Sequence, residues 1–282
     1  GLGLPEREYY LATDAEKKTL RAAYEQHVTK MLVLSGLPPA EAAKQAKAIL
    51  VFETALAKAS RPIEAMRDVQ KLHHRLDAPG LAKLTPKLPW ERFFSAFGQS
   101  DLTAINVMTP EFFPALQKEI GKAPLPTLKA YLRYQLLSAT SGLLPDAIYQ
   151  QHFDFQGRTL AGQKEPQPRW KRCIQATEQA MGEAIGQLYV RERFAGNSKE
   201  LALDMIHGIA DAFAASLPAL TWMDETTRQA ALVKKGTLAW KIGYPEEWRD
   251  YSKLTITRGN HFANAVAARG FEASRQLAQV GK

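Results

Sequence analysis

Residues 198–217 read SKELALDMIHGIADAFAASL, and this stretch decides the fold class. Leu201, Met205, Ile209 and Phe213 recur every four residues, with small or apolar residues beside them. Apolar residues at this spacing lie on one face of an α-helix. The stretch therefore predicts a long amphipathic helix.

The rest of the chain carries further helical signals. A Thr13/Glu16 pair is typical of a capping box, and proline, which the first turn of a helix tolerates, opens several other runs. Helices are predicted over residues 13–34, 40–59, 62–74, 90–97, 110–120, 126–138, 169–194, 198–217, 224–238 and 261–279. Residues 105–108 are predicted as a short strand, and residues 77–89 and 157–168 as loops. Because βαβ alternation is missing, the fold class is all-α, mainly helical with a few short strands.

The composition is that of an ordinary globular chain. Its 282 residues are 45% hydrophobic and 23% charged, which is enough for one large domain or two smaller ones. The sequence contains no run of about 18 apolar residues and opens with no signal-peptide pattern. It starts at Gly1 without a methionine, so we expect its natural N-terminus, and any targeting signal, to lie upstream.

The net charge of +8 raises nucleic acid as a partner. The 37 Lys and Arg residues are scattered among 29 acidic residues, and this pattern favours a solvated basic surface. The single cysteine, Cys173, has no partner for an internal disulfide and no histidine near it in the sequence. We predict a buried structural thiol there, not a nucleophile.

The histidines carry no zinc-peptidase motif. That motif places two histidines four residues apart on one helix face, with a glutamate directly after the first. No histidine here is followed by Glu and no two are four apart; the six are His27, His73, His74, His152, His207 and His261. A thermolysin-type zinc site is therefore absent from the sequence.

Three other pairs have a spacing that suits metal ligands. Glu64/Asp68 and Glu200/Asp204 fit a Glu-x-x-x-Asp pattern, and His207/Asp211 share a helix face. Acids four apart are common on any charged helix, and the third pair is interpreted as a surface pair or a satisfied interior histidine. No catalytic or metal-binding residue is predicted, and the substrate-binding residues stay unknown.

Several strings resemble the neprilysin-like zinc metallopeptidases, the family that includes endothelin-converting enzymes and bacterial oligopeptidases of the O type. They stand in the family's order with family-like spacing: GLGLPEREYY at 1–10, PRWKRC at 168–173, MGEAIGQLYV at 181–190, FAGNSK at 194–199, LTWMD at 220–224 and KIGYP at 241–245. The residues within them suit structural roles. Gly182 and Gly186 predict the close approach of another helix, and Asp224 predicts a helix N-cap.

The resemblance implies that residues 1–282 form the helical lid lobe of a two-lobed metallopeptidase, truncated at both ends. In such enzymes the zinc ligands, the glutamate base and a substrate-backbone clamp lie downstream of the matched region. The complete enzyme would bind zinc through residues outside this chain and cleave oligopeptides. This chain would enclose the substrate chamber, limit substrate size, pair with the catalytic lobe and be inactive alone.

Two further expectations rest on the resemblance. Cys173 matches a position that is disulfide-bonded in extracellular animal members, and its lack of a partner points to a bacterial-like protein. A location in the periplasm, the cell envelope or the secreted space is expected from the family alone. The alternative function is a catalytically dead homologue, or a basic helical module that binds protein or nucleic acid. The leading prediction has no nucleic-acid partner and no transmembrane segment.

Overall fold

A computed structural model describes residues 1–99 and 102–280 of the chain. The fold is mainly helical and separates into two compact units. Unit 1 contains Gly1–Gln167, and unit 2 contains Pro168–Gly259 and Ala263–Phe271. The C-terminal helix contributes residues to both units, because Asn260–Phe262 and its last turns cluster with unit 1. The all-α class predicted from the sequence is confirmed.

Unit 1 is a bundle of helices with one two-residue strand pair. Its elements are α1 Glu8–Leu11, α2 Ala15–Leu34, α3 Pro39–Ala59, β1 Arg75–Leu76, α4 Ala78–Leu84, α5 Trp90–Ala96, β2 Ile105–Asn106, α6 Phe112–Lys122, α7 Leu125–Thr140 and α8 Asp146–Phe153. The strands are antiparallel, with Arg75 opposite Asn106. Tighter 3-10 turns cover Ile63–Arg67, Val69–Leu72 and Ser141–Leu143, and a wider π-helical segment covers Asp154–Leu160.

Unit 2 is built on long helices. They are α9 Arg169–Arg193, α10 Ser198–Ser216, α11 Glu225–Gly236 and the middle of α12 His261–Leu277. A 3-10 turn, Leu217–Ala219, follows α10. α9 is kinked at Met181, where φ is −144° and ψ is 41°. No helix among the described residues has both the length and the apolar character that crossing a membrane requires.

The ends of the helices follow capping chemistry, with one shift from the prediction. The N-cap of α2 is Asp14, not Thr13, and its carboxylate accepts from the backbone N–H of Lys17 at 2.8 Å. Asp224 caps α11 as predicted, accepting from the N–H of Thr227 at 2.7 Å. Each cap satisfies a backbone donor that the first turn of the helix leaves free.

Three segments differ from the sequence prediction. The predicted helix 62–74 is two 3-10 turns, and the predicted loop 77–89 contains α4. The N-cap of α4 is Asp77, which accepts from the N–H of Gly80 at 2.7 Å, and Pro79 is tolerated in its first turn. The predicted loop 157–168 begins as the end of the π-helical segment.

The two units differ in how much they bury. In unit 1, α2 packs along α3, and α7 and α8 pack against them. The buried core there comprises Leu4, Tyr10, Tyr24, Val28, Met31, Leu32, Ala42, Ala46, Ile49, Phe52, Leu56, Ala57, Ala130, Tyr131, Tyr134, Ile148 and Phe155. In unit 2, all of whose residues are described, the buried apolar side chains are Ala210, Leu217 and Ala268.

Candidate functional site

In two of the three pairs with ligand spacing, the aspartate forms an ion pair with a lysine. Asp68 contacts Lys71 at 3.0 Å, and Asp211 contacts Lys235 at 2.7 Å. Hydrogen bonds from these lysines lower the pKa of both carboxyls. The ring of His207 lies 6.1 Å from that of Trp240. The interpretation of His207 and Asp211 as a structural surface pair therefore fits their contacts.

His27 lies in the core of unit 1 and is 2% exposed. Its ring stacks on Phe155 with centroids 4.7 Å apart, and its Nδ1 is 3.1 Å from the side-chain amide of Gln151. His152 lies beside it, with ring centroids 6.1 Å apart. Burial, and then the nearby His152, lowers the pKa of His27 to about 3. Both rings are therefore neutral at pH 7, since burial lowers the pKa of His152 as well.

The residues that the structure describes do not fit a zinc ion. Among residues 1–99 and 102–280, no three His, Cys, Asp or Glu side chains lie close enough together to hold a metal. A catalytic zinc site takes three protein ligands and keeps a position for water.

The string at 1–10 anchors the start of the chain in the core of unit 1. The hydroxyl of Tyr10 accepts hydrogen bonds from the backbone N–H groups of Gly3 at 3.0 Å and Leu4 at 2.8 Å. A Cβ on Gly3 would lie 1.9 Å from the hydroxyl oxygen of Tyr24. Glycine is therefore required at position 3 by close packing.

The same tyrosines converge on a buried carboxylate. Tyr10 and Tyr24 donate to Oε2 of Glu53 at 2.9 and 2.7 Å, and Gln135 donates to Oε1 at 3.1 Å. Glu53 is 0% exposed. Burial raises the pKa of Glu53, while the two tyrosine hydroxyls lower it in part. The cluster joins α1, α2, α3 and α7, and its hydrogen bonds compensate much of the cost of a buried acid.

In unit 2, two of the strings meet at the turn before residue 245. Gly243 has φ +71°, and a Cβ there would lie 2.7 Å from the ring of Phe194. Lys199 donates to the carbonyl of Tyr244 at 3.1 Å and lies over its ring at 4.5 Å. FAGNSK and KIGYP therefore form one structural joint, which holds the start of α10.

A second joint ties α9 to the segment after this turn. The ring of Tyr244 stacks on Trp248 at 5.7 Å, and a Cβ on Gly186 would lie 3.3 Å from Trp248. Glu183 accepts from both the backbone N–H and the guanidinium of Arg249, at 2.8 and 2.9 Å. The close approach predicted at Gly186 is therefore made by a tryptophan side chain and not by another helix.

The remaining distinctive feature is an exposed apolar face on α10. Leu201, Met205, Ile209 and Phe213 are all exposed, with Met205 at 68% and Ile209 at 64%. We call these four residues the α10 apolar face. Such an apolar face on a helix is typical of a surface that another protein segment covers.

The side chain of Cys173, in α9, is exposed. The prediction of a buried thiol is therefore wrong.

The comparison with known families settles the relationship. Residues 1–245 match the model of the N-terminal region of peptidase family M13. The chain belongs to peptidase family M13. The resemblance to neprilysin-like metallopeptidases is thereby confirmed. Four of the six strings that carried it, those at 1–10, 181–190, 194–199 and 241–245, take part in the Gly3 anchor and the two joints of unit 2.

Relatives of this M13 chain are longer than it is. An endothelin-converting enzyme homolog of Locusta migratoria is 31% identical over 99% of the chain, which spans 41% of that protein. Human endothelin-converting enzyme 1 is 33% identical over 90% of the chain, covering 34% of its own length. The chain therefore spans less than half of the relatives it matches.

Solved structures give the same result. The zinc metalloprotease Zmp1 of Mycobacterium tuberculosis in its open state matches with a TM-score of 0.90 and 31% identity. The match covers 100% of this chain and 44% of the Zmp1 chain. The inhibitor complex of that protein has a TM-score of 0.88 and 30% identity, with 43% of its chain covered. The fold of this M13 chain is thus that of part of a zinc metalloprotease.

The sequence reasoning missed the Glu53 cluster. Its members Tyr10, Tyr24, Glu53 and Gln135 are far apart in the chain, and no local pattern connects them. The one available signal was Glu53 itself. It is a lone acid in α3, preceded by the apolar Phe52 and followed closely by the apolar Ala55 and Leu56. A charged residue on the apolar side of a predicted helix indicates a buried partner.

Proposed function

We propose that this chain forms the helical lid of an M13 zinc endopeptidase that cleaves oligopeptides. The observation that carries the proposal is the likeness of the whole chain to 44% of a mycobacterial zinc metalloprotease. The lack of a metal-binding group among the described residues supports a zinc site elsewhere in the complete enzyme. Residues 1–282 as a whole are then lid, and the chain alone hydrolyses nothing.

The lid contributes enclosure to the reaction. Zinc, when bound by the rest of the enzyme, supplies a Lewis acid and an activated water. The residues of this chain would wall a chamber around the substrate, exclude bulk water and admit only peptides small enough to enter. The firmly packed core of unit 1, with its Glu53 cluster, suits a wall that has to keep its shape.

The proposed partners are the catalytic lobe of the same enzyme and its oligopeptide substrates. The proposed location is the bacterial periplasm, envelope or secreted space, and it rests on the family alone. Nucleic acid is not proposed as a partner, since the 37 Lys and Arg residues are scattered among 29 acidic residues. An absence of salt-dependent gel shift with the purified chain would agree with this.

The lid role predicts that loosening unit 1 changes the size limit and leaves the chemistry intact. Gly3→Ala in the complete peptidase forces a Cβ against Tyr24. We expect kcat/KM for a short peptide to stay within about twofold of the unaltered enzyme, while cleavage of a small folded protein rises by about tenfold. Both rates are measured below the unfolding temperature.

The matched control is Gly121→Ala, since nothing lies within 4 Å of a Cβ at that position of α6. This variant should leave both rates unchanged. Equal losses on the short peptide and the folded protein with Gly3→Ala would contradict a size-limiting lid. Hydrolysis of the short peptide by the 282-residue chain alone would contradict the whole proposal.

A further inference from the structure

We propose that the α10 apolar face is the surface on which the rest of the M13 peptidase chain packs. This inference rests on the proposed function and names the part of the lid that contacts the catalytic lobe. The proposed occupant is the part of the same enzyme that lies outside these 282 residues, which packs on the face through apolar side chains.

The distribution of residues around α10 supports the proposal. One side packs within unit 2 through the buried Ala210 and the half-buried Leu203 and Ile206. At about 100° per residue, the apolar residues of α10 cover roughly two thirds of its circumference, whereas a helix with one buried face needs little more than about 100°. A helix that is apolar on two sides is buried on two sides.

The α10 apolar face carries no charged side chain. Glu200, Asp204 and Asp211 lie on a different side of the helix, and Asp211 is paired with Lys235 of α11. Ala212 lies between the four larger residues and Gly208 lies at the edge of the face, so a partner meets little bulk there. A smooth uncharged face suits an apolar partner rather than nucleic acid or an acidic peptide.

Other residues of unit 2 point the same way. Trp170, Ile174, Leu188 and Tyr189 of α9 are exposed as well. The three buried apolar side chains in unit 2, which is described throughout, make a core too small for its size. Unit 2 therefore buries less apolar surface than a stable domain of this length needs. Apolar contacts with the rest of the enzyme would supply the difference.

The identity of the occupant follows from the comparisons. The whole chain has the same fold as 44% of a mycobacterial zinc metalloprotease. More than half of that metalloprotease therefore lies outside the matched region. α10 lies inside the matched family region, residues 1–245. Because the relatives continue beyond the matched region, we infer that the remainder of the same enzyme covers the α10 apolar face.

Cysteine labelling tests the proposal. In a Cys173→Ser background, Met205→Cys and Ile209→Cys are each made in the 282-residue chain and in the complete peptidase. Val51→Cys is the matched control, because Val51 is 66% exposed on α3 of unit 1. We expect positions 205 and 209 to react with a thiol reagent at least about tenfold slower in the complete peptidase, and position 51 to react equally in both.

The outcomes separate this inference from the proposed function. Zinc content and peptide hydrolysis are measured on the same samples. Zinc and hydrolysis together with unchanged labelling at 205 and 209 overturn the inference and leave the function standing. Concentration-dependent protection in the 282-residue chain indicates a second copy and overturns it too. If the natural product has no zinc and no peptidase activity, the proposed function fails, and the inference fails with it.

Discussion

Lowering the pH from 6.5 to 4.5 is expected to destabilise unit 1 through His27, which has to be uncharged in the folded state. Burial and the neighbouring His152 lower the pKa of His27 to about 3, against the ordinary value of 6.5. The unfolded chain therefore takes up a proton at a higher pH than the folded chain does. Stability that is complete above pH 6.5 is lost progressively toward pH 3, at up to about 1.4 kcal/mol of unfolding free energy per pH unit.

The structure explains why the folded state refuses the proton. The Nε2 of His27 is buried and has no hydrogen-bond partner among the described residues, and its Nδ1 faces the side-chain amide nitrogen of Gln151, which is a donor. A charged ring would therefore carry N–H groups without an acceptor. The titratable groups that act on this ring are His152 and Lys30, which both disfavour a positive charge. A backbone hydrogen bond with Gln151 opposes them in part and does not reverse the lowering of the pKa.

The measurement is denaturant unfolding followed by circular dichroism at pH steps from 6.5 to 4.5, with the unaltered chain and a His27 variant side by side so that titrating carboxyls contribute equally to both. His27→Phe keeps a ring against Phe155 and removes the titration. We expect its unfolding free energy to depend less on pH, by up to about 1.4 kcal/mol per unit. Equal slopes for the variant and the unaltered chain would contradict the assignment.

Glu53 contributes with the opposite sign and does not imitate this effect. Burial raises the pKa of Glu53, so its contribution is complete below pH 4.5, its unfolded value, and is lost as the pH rises. Acidification through Glu53 alone would stabilise unit 1. Asp14, Asp68 and Glu111 of unit 1 have a lowered pKa and lose their contribution mainly below pH 4.5. The comparison with His27→Phe therefore isolates the histidine, because the carboxyls contribute equally to both proteins.

Gly3→Ala is expected to reduce the unfolding free energy of unit 1 by about 1–3 kcal/mol, the usual cost of overpacking a core. The added Cβ would lie 1.9 Å from the hydroxyl oxygen and 2.6 Å from Cζ of Tyr24. Tyr24 is 0% exposed, and its hydroxyl donates to Glu53. Moving the ring away breaks that hydrogen bond, and moving residue 3 away breaks the one to Tyr10.

Gly121→Ala is the control for this prediction. A Cβ at residue 121 meets nothing within 4 Å, and the position lies in α6. Replacing an exposed helical glycine by alanine stabilises by up to about 1 kcal/mol. Urea midpoints of the two variants should therefore shift in opposite directions. A Gly3→Ala variant as stable as the unaltered chain would mean that residue 3 does not pack on Tyr24.

Local chemistry made most of the helices predictable, because the periodicity of apolar residues and the caps lie within one segment. The failures have local causes as well. Asp77 followed by Pro79 is typical of a helix start. The three prolines in residues 77–89 nevertheless favoured the prediction of a loop there. Residues 62–74 have a helical composition, but their backbone bonds close into tighter 3-10 turns.

Long-range features were beyond the sequence. Glu53 meets Gln135 across 82 residues, and no spacing rule relates them. The stripe Leu201–Phe213 was predicted as one face of α10, but periodicity cannot tell which element covers a face. In the described structure that face is exposed. Function came from the ordered family strings, because the chemistry of the residues alone pointed to no site.

The most direct test of a lid without a zinc centre is intact mass and zinc analysis on the native protein, with the 282-residue chain measured beside it. We expect the native protein to be longer than 282 residues and to bind about one zinc per molecule, and the 282-residue chain to bind no zinc at micromolar concentration. Stoichiometric zinc in the 282-residue chain, or a native protein that binds none, would contradict this expectation.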